Sequence, residues 1–386
     1  MSERLGITVL GGGNGAFITA ADLQLRGHRV TLCELPQFEK SIEGVLRTKT
    51  IELQIVGNPG VKGGFAHLER VTTNVKEAVS DAEVILIVVP AFGQKPFAEA
   101  CTPYLRDGQM VVLTPGNFGG AIEFSNILSQ SGKGRRVDVA ELECMIYSGF
   151  KSAPTVAWVS GYKKGLHLAA FPGKATGRVM ERMLQVYPDL RGARNVLETG
   201  LRNINTVVHA PIVVHNAGWI EKTQGKFLFY WDGCTPGVAR SAEGVDRERI
   251  AIGKAIGLQL PSMLDVSLEW YGHEGAKGKT LYEVLSTNPV YVKDDAPSTL
   301  RHRFLLEDVP YGMIPVEGLG RLAGIGTPVT SAIVTLASEI TGMDLRSQAR
   351  DLNHLGLASL DMKALIRLVD EGEEGSPKHS SVRGIK

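Results

Sequence analysis

The sequence predicts two domains, an α/β domain built on a doubly wound, mostly parallel sheet and, after it, an all-α C-terminal domain. Short β-branched segments such as ITVL (7–10) and RVTLC (29–33) alternate with helical patterns in the first half of the chain. EVILIVVP (83–90) is a continuous apolar run, typical of a parallel strand buried on both faces. After about residue 190 the β-type runs disappear and longer helical patterns begin. This change of pattern predicts the two domains.

The predicted domain boundary lies within YPDLRGARN (187–195). It gives an α/β domain over 1–192 and a helical domain over 193–370. The remaining stretch, 371–386, is charged and rich in Ser and Gly, which predicts a disordered tail. We interpret TVAWVSGYKKGLHLAAFPG (155–173) as an antiparallel hairpin appended to the sheet.

The composition excludes several classes of function. A net charge of +1 provides no basic excess to neutralise phosphates, so no nucleic-acid partner is expected. No apolar stretch approaches the ~20 residues of a membrane span, so no membrane association is expected. The four cysteines form no CxxC pair, which favours reduced thiols in the cytoplasm. GHEG (272–275) lacks the second histidine of a zinc helix, and no metal site is expected.

A glycine-rich loop, GGGNGA, follows the first predicted strand and opens a helix. Gly11 permits a tight turn, and Gly13 allows the backbone to approach a pyrophosphate. Ala16 permits close helix–strand packing, while Asn14 and Gly15 lie at the start of the helix. This G-x-G-x-x-A pattern predicts a Rossmann dinucleotide-binding site, with a structural glycine turn as the alternative.

Glu34 ends the second predicted strand, where an acid accepts hydrogen bonds from the adenosine ribose. No arginine follows Glu34 within five residues, so a 2′-phosphate would meet uncompensated repulsion. The predicted cofactor is therefore NAD, in preference to NADP. Pro90 ends another strand and is expected to border the nicotinamide.

The segment NINTVVHAPIVVHNAGWIEK (203–222) predicts an apolar helix with Asn205, His209 and Asn216 on one face. Pro211 is expected to interrupt this helix and to free a carbonyl beside the histidine. A histidine on an apolar helix is more often a hydrogen-bonded core residue than a catalyst. Because this helix opens the second domain, however, His209 and Asn205 are predicted to face the interdomain cleft, with Asn205 contacting substrate.

Two further residues at predicted strand ends are candidate substrate contacts. Asn117 lies in TPGN (114–117), and Glu141 lies in VAELEC (139–144). Glu141 is suited to the head group of a cationic amino acid. The alternatives are a simple loop turn for TPGN and a capping or surface role for Glu141.

Three segments together resemble the opine dehydrogenases of the octopine/nopaline dehydrogenase type. They are NINTVVHAP, TPGNFGGAIEF and RFLLEDVPYGMIPVEGLGR, and the similarity is closest to bacterial N-(1-carboxyethyl)-amino-acid dehydrogenases. The resemblance runs from the glycine loop to DLNHLGL, near residue 355. It implies a Rossmann domain followed by an all-α domain. It also implies NAD(P)H-dependent reductive condensation of an L-amino acid with a 2-oxo acid such as pyruvate.

The resemblance also implies a catalytic set in the helical domain. His209 matches the histidine of N-x-N-x-x-x-H, while Arg303 and Asp308 match R-x-x-x-x-D. The histidine would move protons near neutral pH, and the aspartate would fix its tautomer. Arg303 would hold a substrate carboxylate or buttress the aspartate. Without the resemblance, Arg303 and Asp308 would be interpreted as a surface ion pair.

The sequence departs from the family pattern at one place and leaves two alternative functions open. Relatives often carry an arginine where MIYSGFK has Phe150 and Lys151, which leaves the amino donor open. A simple 2-oxo-acid or ketone reductase usually relies on a lysine in the helical domain, and Lys222 lies too far along the helix. A non-catalytic NAD-binding sensor would bind cofactor without turnover. The oligomeric state is left open between monomer and homodimer.

Overall fold

A computed structural model describes residues 4–57, 59–131 and 134–372 of the chain. The strands of these residues, in chain order, are β1 Gly6–Leu10, β2 Arg29–Cys33, β3 Thr50–Ile55, β4 Gly64–His67, β5 Arg70–Thr72, β6 Val84–Ile87, β7 Met110–Leu113, β8 Asp138–Leu142, β9 Tyr147–Ala153, β10 Val156–Tyr162, β11 His167–Phe171 and β12 Arg191–Gly192.

The helices of the same residues are α1 Asn14–Leu25, α2 Glu43–Thr48, α3 Val75–Ser80, α4 Ala91–Cys101, α5 Gly120–Gln130, α6 Thr176–Val186, α7 Val196–Arg202, α8 Asn205–His215, α9 Ala217–Thr223, α10 Pro236–Ala255, α11 Met263–Tyr271, α12 Leu281–Thr287, α13 Arg303–Leu306, α14 Ile314–Leu322, α15 Pro328–Thr341 and α16 Met362–Glu371. None of the described helices is long and apolar enough to cross a membrane.

The larger sheet has the order β12-β11-β8-β7-β6-β1-β2-β5. Its central strands are parallel, and β11 runs antiparallel to β8. The strand order reverses at β1, where Leu10 lies opposite Cys33 on one side and Ile87 on the other. The carboxyl ends of β1, β2 and β6 therefore meet at one edge, which is where open α/β sheets bind ligands. The predicted doubly wound α/β fold is confirmed.

A smaller sheet, of order β4-β3-β10-β9, packs against α1. The predicted hairpin over 155–173 is wrong, because its two strands join different sheets. The first, β10, pairs antiparallel with β9, whereas the second, β11, pairs with β8 in the larger sheet. The β-branched pattern predicts both strands correctly, but the partner of each strand is chosen by contacts far away in the chain.

Beyond β12, the described residues form helices and loops, with one isolated β-bridge between Leu228 and Asp295. Helix α8 lies at the centre of this all-α region and packs against α10, α15 and α13. The predicted all-α character of the C-terminal part is confirmed. The last strand ends at Gly192 and α7 begins at Val196, whereas the exact domain boundaries stay a prediction.

The predicted helix over 203–222 is two helices, α8 and α9, and the break lies at Asn216 rather than at Pro211. Pro211 sits inside α8. Asn216 leaves helical geometry, with φ −113° and ψ 14°. Its Nδ2 donates to the carbonyls of Ile212 at 2.8 Å and Gly233 at 2.9 Å. Because an asparagine amide competes with the backbone for hydrogen bonds, the helix ends there.

The C-terminal helix α16 returns to the start of α7. The Asp370 carboxylate accepts hydrogen bonds from Arg194 Nη2 and Asn195 Nδ2, both at 2.6 Å. Glu371, the first residue of the predicted tail, is the last residue of α16. The rest of that tail, from 373 onward, lies outside the described residues.

Candidate active site

The glycine-rich loop lies at the carboxyl end of β1. Gly11 has a φ of +131°, and a Cβ at this position would lie 2.5 Å from the carbonyl oxygen of Val88. Gly13 precedes α1, where no side chain caps the helix, and a Cβ on it would have nothing within 4 Å. The loop thus presents an uncapped helix N-terminus with open space in front of it. This arrangement fits the pyrophosphate of a dinucleotide.

Glu34 follows β2 and lies against this loop. Its side chain is 6% exposed, and its Oε1 accepts the backbone N–H of Leu35 at 2.7 Å. A Cβ on Gly12 would lie 2.9 Å from Glu34 Oε2, so the carboxylate directly borders the loop. Burial raises the pKa of the Glu34 carboxyl above its usual range. Glu34 therefore lies at the carboxyl end of β2 beside the glycine-rich loop, and its contact with the ribose stays a prediction.

Lys151, on β9, reaches the same loop from the smaller sheet. Its Nζ donates to the carbonyls of Gly12 at 3.1 Å and Ser41 at 2.6 Å. Its backbone N–H donates to Asn14 Oδ1 at 3.1 Å. Sequence reasoning considered only the residues that follow Glu34 and so missed this cation. This ammonium would offset part of the repulsion between Glu34 and a 2′-phosphate.

His209 is the centre of a buried hydrogen-bonded cluster in the helical region. The ring is 4% exposed, and Nδ1 lies 2.6 Å from Asp308 Oδ2. Its Nε2 lies 2.8 Å from the hydroxyl of Tyr230, and its ring stacks on Phe304 with 4.0 Å between centroids. A carboxylate only accepts hydrogen bonds, so the proton is assigned to Nδ1 and Nε2 accepts from the tyrosine. This tautomer leaves Nε2 as the basic nitrogen.

Short and irregular helices bring Asp308 to the histidine. Asp308 follows α13 and immediately precedes a π-helical turn, Val309–Met313, of the kind that often marks functional sites. Asp308 is buried and pairs with His209, so the surface ion-pair alternative for Arg303 and Asp308 is wrong. The structure thus brings together two of the three residues that the resemblance implied.

The third, Arg303, makes no side-chain hydrogen bond or ion pair with His209 or Asp308 in the described part of the chain, although its carbonyl accepts the backbone N–H of Asp308 at 3.3 Å. Its Nη1 donates to Glu307 Oε2 at 3.3 Å, and its side chain is 50% exposed. The guanidinium carbon lies 5.3 Å from the centre of the Phe304 ring. Arg303 is therefore a solvent-accessible cation on the aromatic ring that covers His209. Its charge interacts with that of Asp308 without a side-chain hydrogen bond between them, and its role stays a prediction.

Glu307 was missed by sequence reasoning and joins the two halves of the chain. It is 2% exposed, and its Oε1 accepts the backbone N–H of Ala91 at 2.9 Å. The same oxygen accepts from Asn117 Nδ2 at 3.1 Å, while Oε2 accepts from Arg303. Nothing in the local sequence marks these distant partners. This carboxylate fixes the segment of Arg303 and Asp308 against the carboxyl edge of the larger sheet.

Asn117 is buried in the same seam. It has a φ of +54°, and its Oδ1 accepts from Asn203 Nδ2 at 2.8 Å. With Glu307 on the other side, both ends of its amide have protein partners. The structure therefore gives Asn117 a positioning role in this seam, and the predicted substrate contact stays a prediction.

Glu141 does not face a cleft. It is fully buried, with Oε2 accepting the N–H of Ala121 at 2.8 Å and Oε1 accepting the hydroxyl of Thr199 at 2.7 Å. Burial raises the pKa of Glu141 to about 7. The structure thus corrects the predicted substrate contact in favour of the capping alternative, since the carboxylate caps the start of α5.

Asn205 and Pro90 lie where the sequence predicts, and their roles remain predictions. Asn205 begins α8 one turn before His209 and is half-buried. Its Nδ2 lies 3.6 Å from Cys144 Sγ. Pro90 is exposed and immediately precedes α4 at the end of β6. Tyr230 was missed, because a tyrosine in the loop after α9 carries no local signal of its contact with His209.

Comparison with known proteins assigns this arrangement to a family. Residues 192–341 match the family model described as NAD/NADP octopine/nopaline dehydrogenase, alpha-helical domain. The chain is 36% identical over 363 residues to an opine dehydrogenase of Arthrobacter sp. (strain 1C), covering 93% of this chain and 97% of the relative. The chain belongs to the opine dehydrogenase family. The resemblance predicted from the sequence is therefore confirmed, and the protein is an oxidoreductase.

More distant members of the family match as well. An opine dehydrogenase of Haliotis discus hannai is 25% identical over 385 residues, covering 89% of this chain and 92% of the relative. An octopine dehydrogenase solved with NADH and agmatine superposes with a TM-score of 0.76 at 22% identity, over 97% of this chain and all of the other. A yersinopine dehydrogenase solved with NADP⁺ gives 0.69 at 18% identity, over 96% and 99% of the two chains. The two solved structures share the fold of the present chain.

Proposed function

We propose that this opine dehydrogenase condenses the amino group of an L-amino acid with a 2-oxo acid such as pyruvate and reduces the resulting imine. The amine attacks the carbonyl carbon, water leaves, and the C=N bond accepts a hydride and a proton to give a secondary amine. The hydride comes from bound NADH. The observation that carries the proposal is the buried His209–Asp308 pair, at 2.6 Å, beside the half-exposed cation of Arg303.

The loop residues hold the cofactor in this proposal. The uncapped N-terminus of α1, with Gly13, Asn14 and Gly15, receives the pyrophosphate. Glu34 accepts hydrogen bonds from the ribose hydroxyls, which favours NAD, and Lys151 next to it permits weaker binding of NADP. Pro90 borders the nicotinamide end of the site.

His209 handles the proton transfers. When the Tyr230 hydroxyl turns from Nε2 to the substrate, Nε2 of the neutral ring takes a proton from the substrate ammonium. The free amine then attacks the carbonyl carbon, and the imidazolium returns the proton to the departing oxygen. Asp308 keeps the other proton on Nδ1 and stabilises the imidazolium that forms. Tyr230 donates to Nε2 at 2.8 Å, and burial raises its pKa well above the usual value, so the phenol remains a hydrogen-bond donor.

Arg303 holds a carboxylate of a substrate. Its side chain is accessible and anchored by Glu307, which leaves the rest of its fork of N–H donors free to bind an anion. Asn205, one turn from His209, supplies an amide to the same substrate. We assign the protein to the cytoplasm, consistent with four free, buried cysteines among the described residues.

The test is NADH absorbance with pyruvate or 2-oxoglutarate, with and without a panel of L-amino acids. His209→Ala is compared with His215→Ala, a histidine exposed on the same helix and hydrogen-bonded to Ser241. The proposal predicts oxidation that requires both substrates, that collapses in His209→Ala and that persists in His215→Ala. The same preparations give the oligomeric state, monomer or homodimer, by light scattering.

Two results would contradict the proposal. Oxidation with the oxo acid alone would make the protein a simple 2-oxo-acid reductase, a function for which the exposed Lys222, at the end of α9, is a poor catalyst. Tight NADH binding without turnover across the panel would support a non-catalytic sensor.

A further inference from the structure

Lys163 is a buried cation without an ion pair. Lys163 is 8% exposed, and no carboxylate oxygen of the described residues lies within 4.0 Å of its Nζ. The other buried cations of the described residues are arginines with carboxylate partners: Arg202 with Glu143, Arg249 with Asp246, and Arg350 with Glu123. Because burying an unpaired charge is costly, an unpaired ammonium points to an anion that binds there.

The surroundings of Lys163 supply only one weak hydrogen bond. Its Nζ lies 3.5 Å from Ser148 Oγ, which shares a 2.7 Å hydrogen bond with the hydroxyl of Tyr271. The ammonium also faces the rings of Trp270 at 5.6 Å and Tyr271 at 5.4 Å. An ammonium has three N–H donors, and two of them have no acceptor in the described structure.

The nearest acids do not neutralise it. Glu274 Oε1 accepts the backbone N–H of Tyr162 at 2.7 Å, and burial raises the pKa of Glu274 to about 7. Burial also raises the pKa of Asp294 to about 6. Both carboxyls interact with Lys163 only at longer range. They make the site polar without filling the position of a counterion.

This cation borders the proposed active site. The backbone N–H of Lys163 donates at 2.9 Å to the carbonyl of Ile146, two residues after Cys144. Cys144 Sγ lies 3.6 Å from Nδ2 of Asn205, the first residue of the helix that carries His209. A row of aromatic rings links the two places. Tyr271 lies 5.6 Å from Tyr291, which stacks at 4.0 Å on Tyr230, the tyrosine that donates to His209.

We propose that Lys163, together with Ser148 Oγ, binds the carboxylate of one of the two substrates, while Arg303 holds the carboxylate of the other. This inference rests on the proposed condensation, in which both the amino acid and the oxo acid carry a carboxylate. The two substrates bring two carboxylates, and the structure offers two cations for them. These are the half-exposed Arg303 and the buried Lys163, which lies at the far end of the row of aromatic rings from Tyr230.

The test measures binding of each substrate alone to enzyme saturated with NAD⁺, by calorimetry, so that no turnover occurs. Pyruvate, L-alanine and alaninamide are titrated into wild type, Lys163→Met and Lys164→Met. Lys164 is the adjacent, exposed lysine and serves as the control. We expect Lys163→Met to weaken the binding of either pyruvate or L-alanine about 10- to 100-fold. Lys163→Arg should recover part of that loss, and Lys164→Met should bind as wild type does.

The titration that changes shows which of the two substrates carries the carboxylate that Lys163 binds. Loss of pyruvate binding assigns Lys163 to the oxo acid. Loss of L-alanine binding, with alaninamide binding weakly to every variant, assigns it to the amino donor. Equal binding of both carboxylates by wild type and Lys163→Met would overturn the proposal.

Thermal unfolding separates this role from a structural one. Because Lys163→Met removes an unpaired buried charge, the substrate-free variant should melt at or above the temperature of wild type. A lower melting temperature together with weaker NAD⁺ binding would instead show a structural role and overturn the proposal.

The two proposals fail separately. If Lys163→Met loses carboxylate binding but wild type turns over no substrate pair, the carboxylate site stands and the condensation fails. If wild type condenses both substrates and Lys163→Met has unchanged KM values, the condensation stands and the carboxylate site fails.

Discussion

The cofactor loop and the His209 cluster are built in opposite ways. The glycine pattern of the loop is local: Gly11, Gly13 and Ala16 lie within one strand–turn–helix unit, and a Cβ on Gly11 would meet Val88, directly after the adjacent strand β6. The His209 cluster is assembled from separate segments, since the histidine, Tyr230 and Asp308 come from α8, a loop and the end of α13.

The two regions should therefore respond to different kinds of substitution. The loop depends on backbone geometry, so a substitution that adds an atom, such as a Cβ, should disturb it most. The cluster depends on side-chain hydrogen bonds, so a substitution that removes or exchanges a polar atom should disturb it most. Substitutions in the two regions should therefore affect cofactor affinity and chemistry independently.

The largest effect is expected for Asp308→Asn. An amide can present its N–H group to Nδ1 and so favour the tautomer with the proton on Nε2, which removes the basic nitrogen. We expect kcat to fall about 10²- to 10⁴-fold, with the NADH dissociation constant nearly unchanged. Steady-state kinetics and fluorescence titration of NADH measure the two quantities. A parallel loss of NADH affinity would show that the two regions are not independent.

Gly11→Ala should weaken the binding of NADH, the quantity that Asp308→Asn leaves nearly unchanged. The new Cβ would lie 2.5 Å from the Val88 carbonyl, at a φ of +131° that disfavours alanine. We expect the dissociation constant of NADH to rise about 10- to 100-fold. Gly27→Ala is the matched control, because Gly27 also has a positive φ but open space around its Cβ position. Equal effects of both variants on NADH binding would refute a specific role for the loop.

A smaller effect is expected for Tyr230→Phe, which removes one hydrogen bond to His209 and keeps the ring that stacks on Tyr291. We expect kcat to change about 2- to 10-fold, with its pH profile displaced because the partner of Nε2 is lost. Tyr104→Phe, at an exposed tyrosine, is the control. An unchanged pH profile would mean that the hydroxyl does not influence the histidine.

The smallest effect concerns stability rather than activity. Burial raises the pKa of Glu141 to about 7, from an ordinary 4.5, so folding favours its protonated form. The resulting stabilisation is complete below about pH 4.5 and is lost as the pH rises through about 7. Between pH 5 and 8 the free energy of unfolding of wild type should fall by about 1–3 kcal/mol more than that of Glu141→Gln. The melting temperature, measured across this pH range, should therefore fall less in the variant. An identical pH dependence in both proteins would exclude this assignment.

The sequence predicts the parts of the molecule whose contacts are local. The doubly wound sheet follows from repeated strand–helix units, and the loop follows from glycines at fixed spacing. The hairpin over 155–173 fails because β10 and β11 take partners that no local pattern specifies. The prediction of one helix over 203–222, interrupted at Pro211, fails for a related reason. The amide of Asn216, which ends α8, also bonds to Gly233 in a later loop.

The same limit applies to the candidate active site. The family resemblance finds His209 and Asp308, because their motifs are read directly from the sequence. Tyr230, Glu307 and Lys163 are recognised only by their burial and their distant partners. Glu141 looked accessible at a strand end, but its carboxylate is turned inward onto α5 and Thr199.

The most direct test of the account is the position of the transferred hydrogen. Wild-type enzyme is incubated with NADH deuterated at C4, pyruvate and L-amino acid, and the products are analysed by mass spectrometry. The account predicts a secondary amine with one deuterium on the carbon that joins the nitrogen to the former oxo acid. Deuterated 2-hydroxy acid, with the amino acid recovered unchanged, would contradict it.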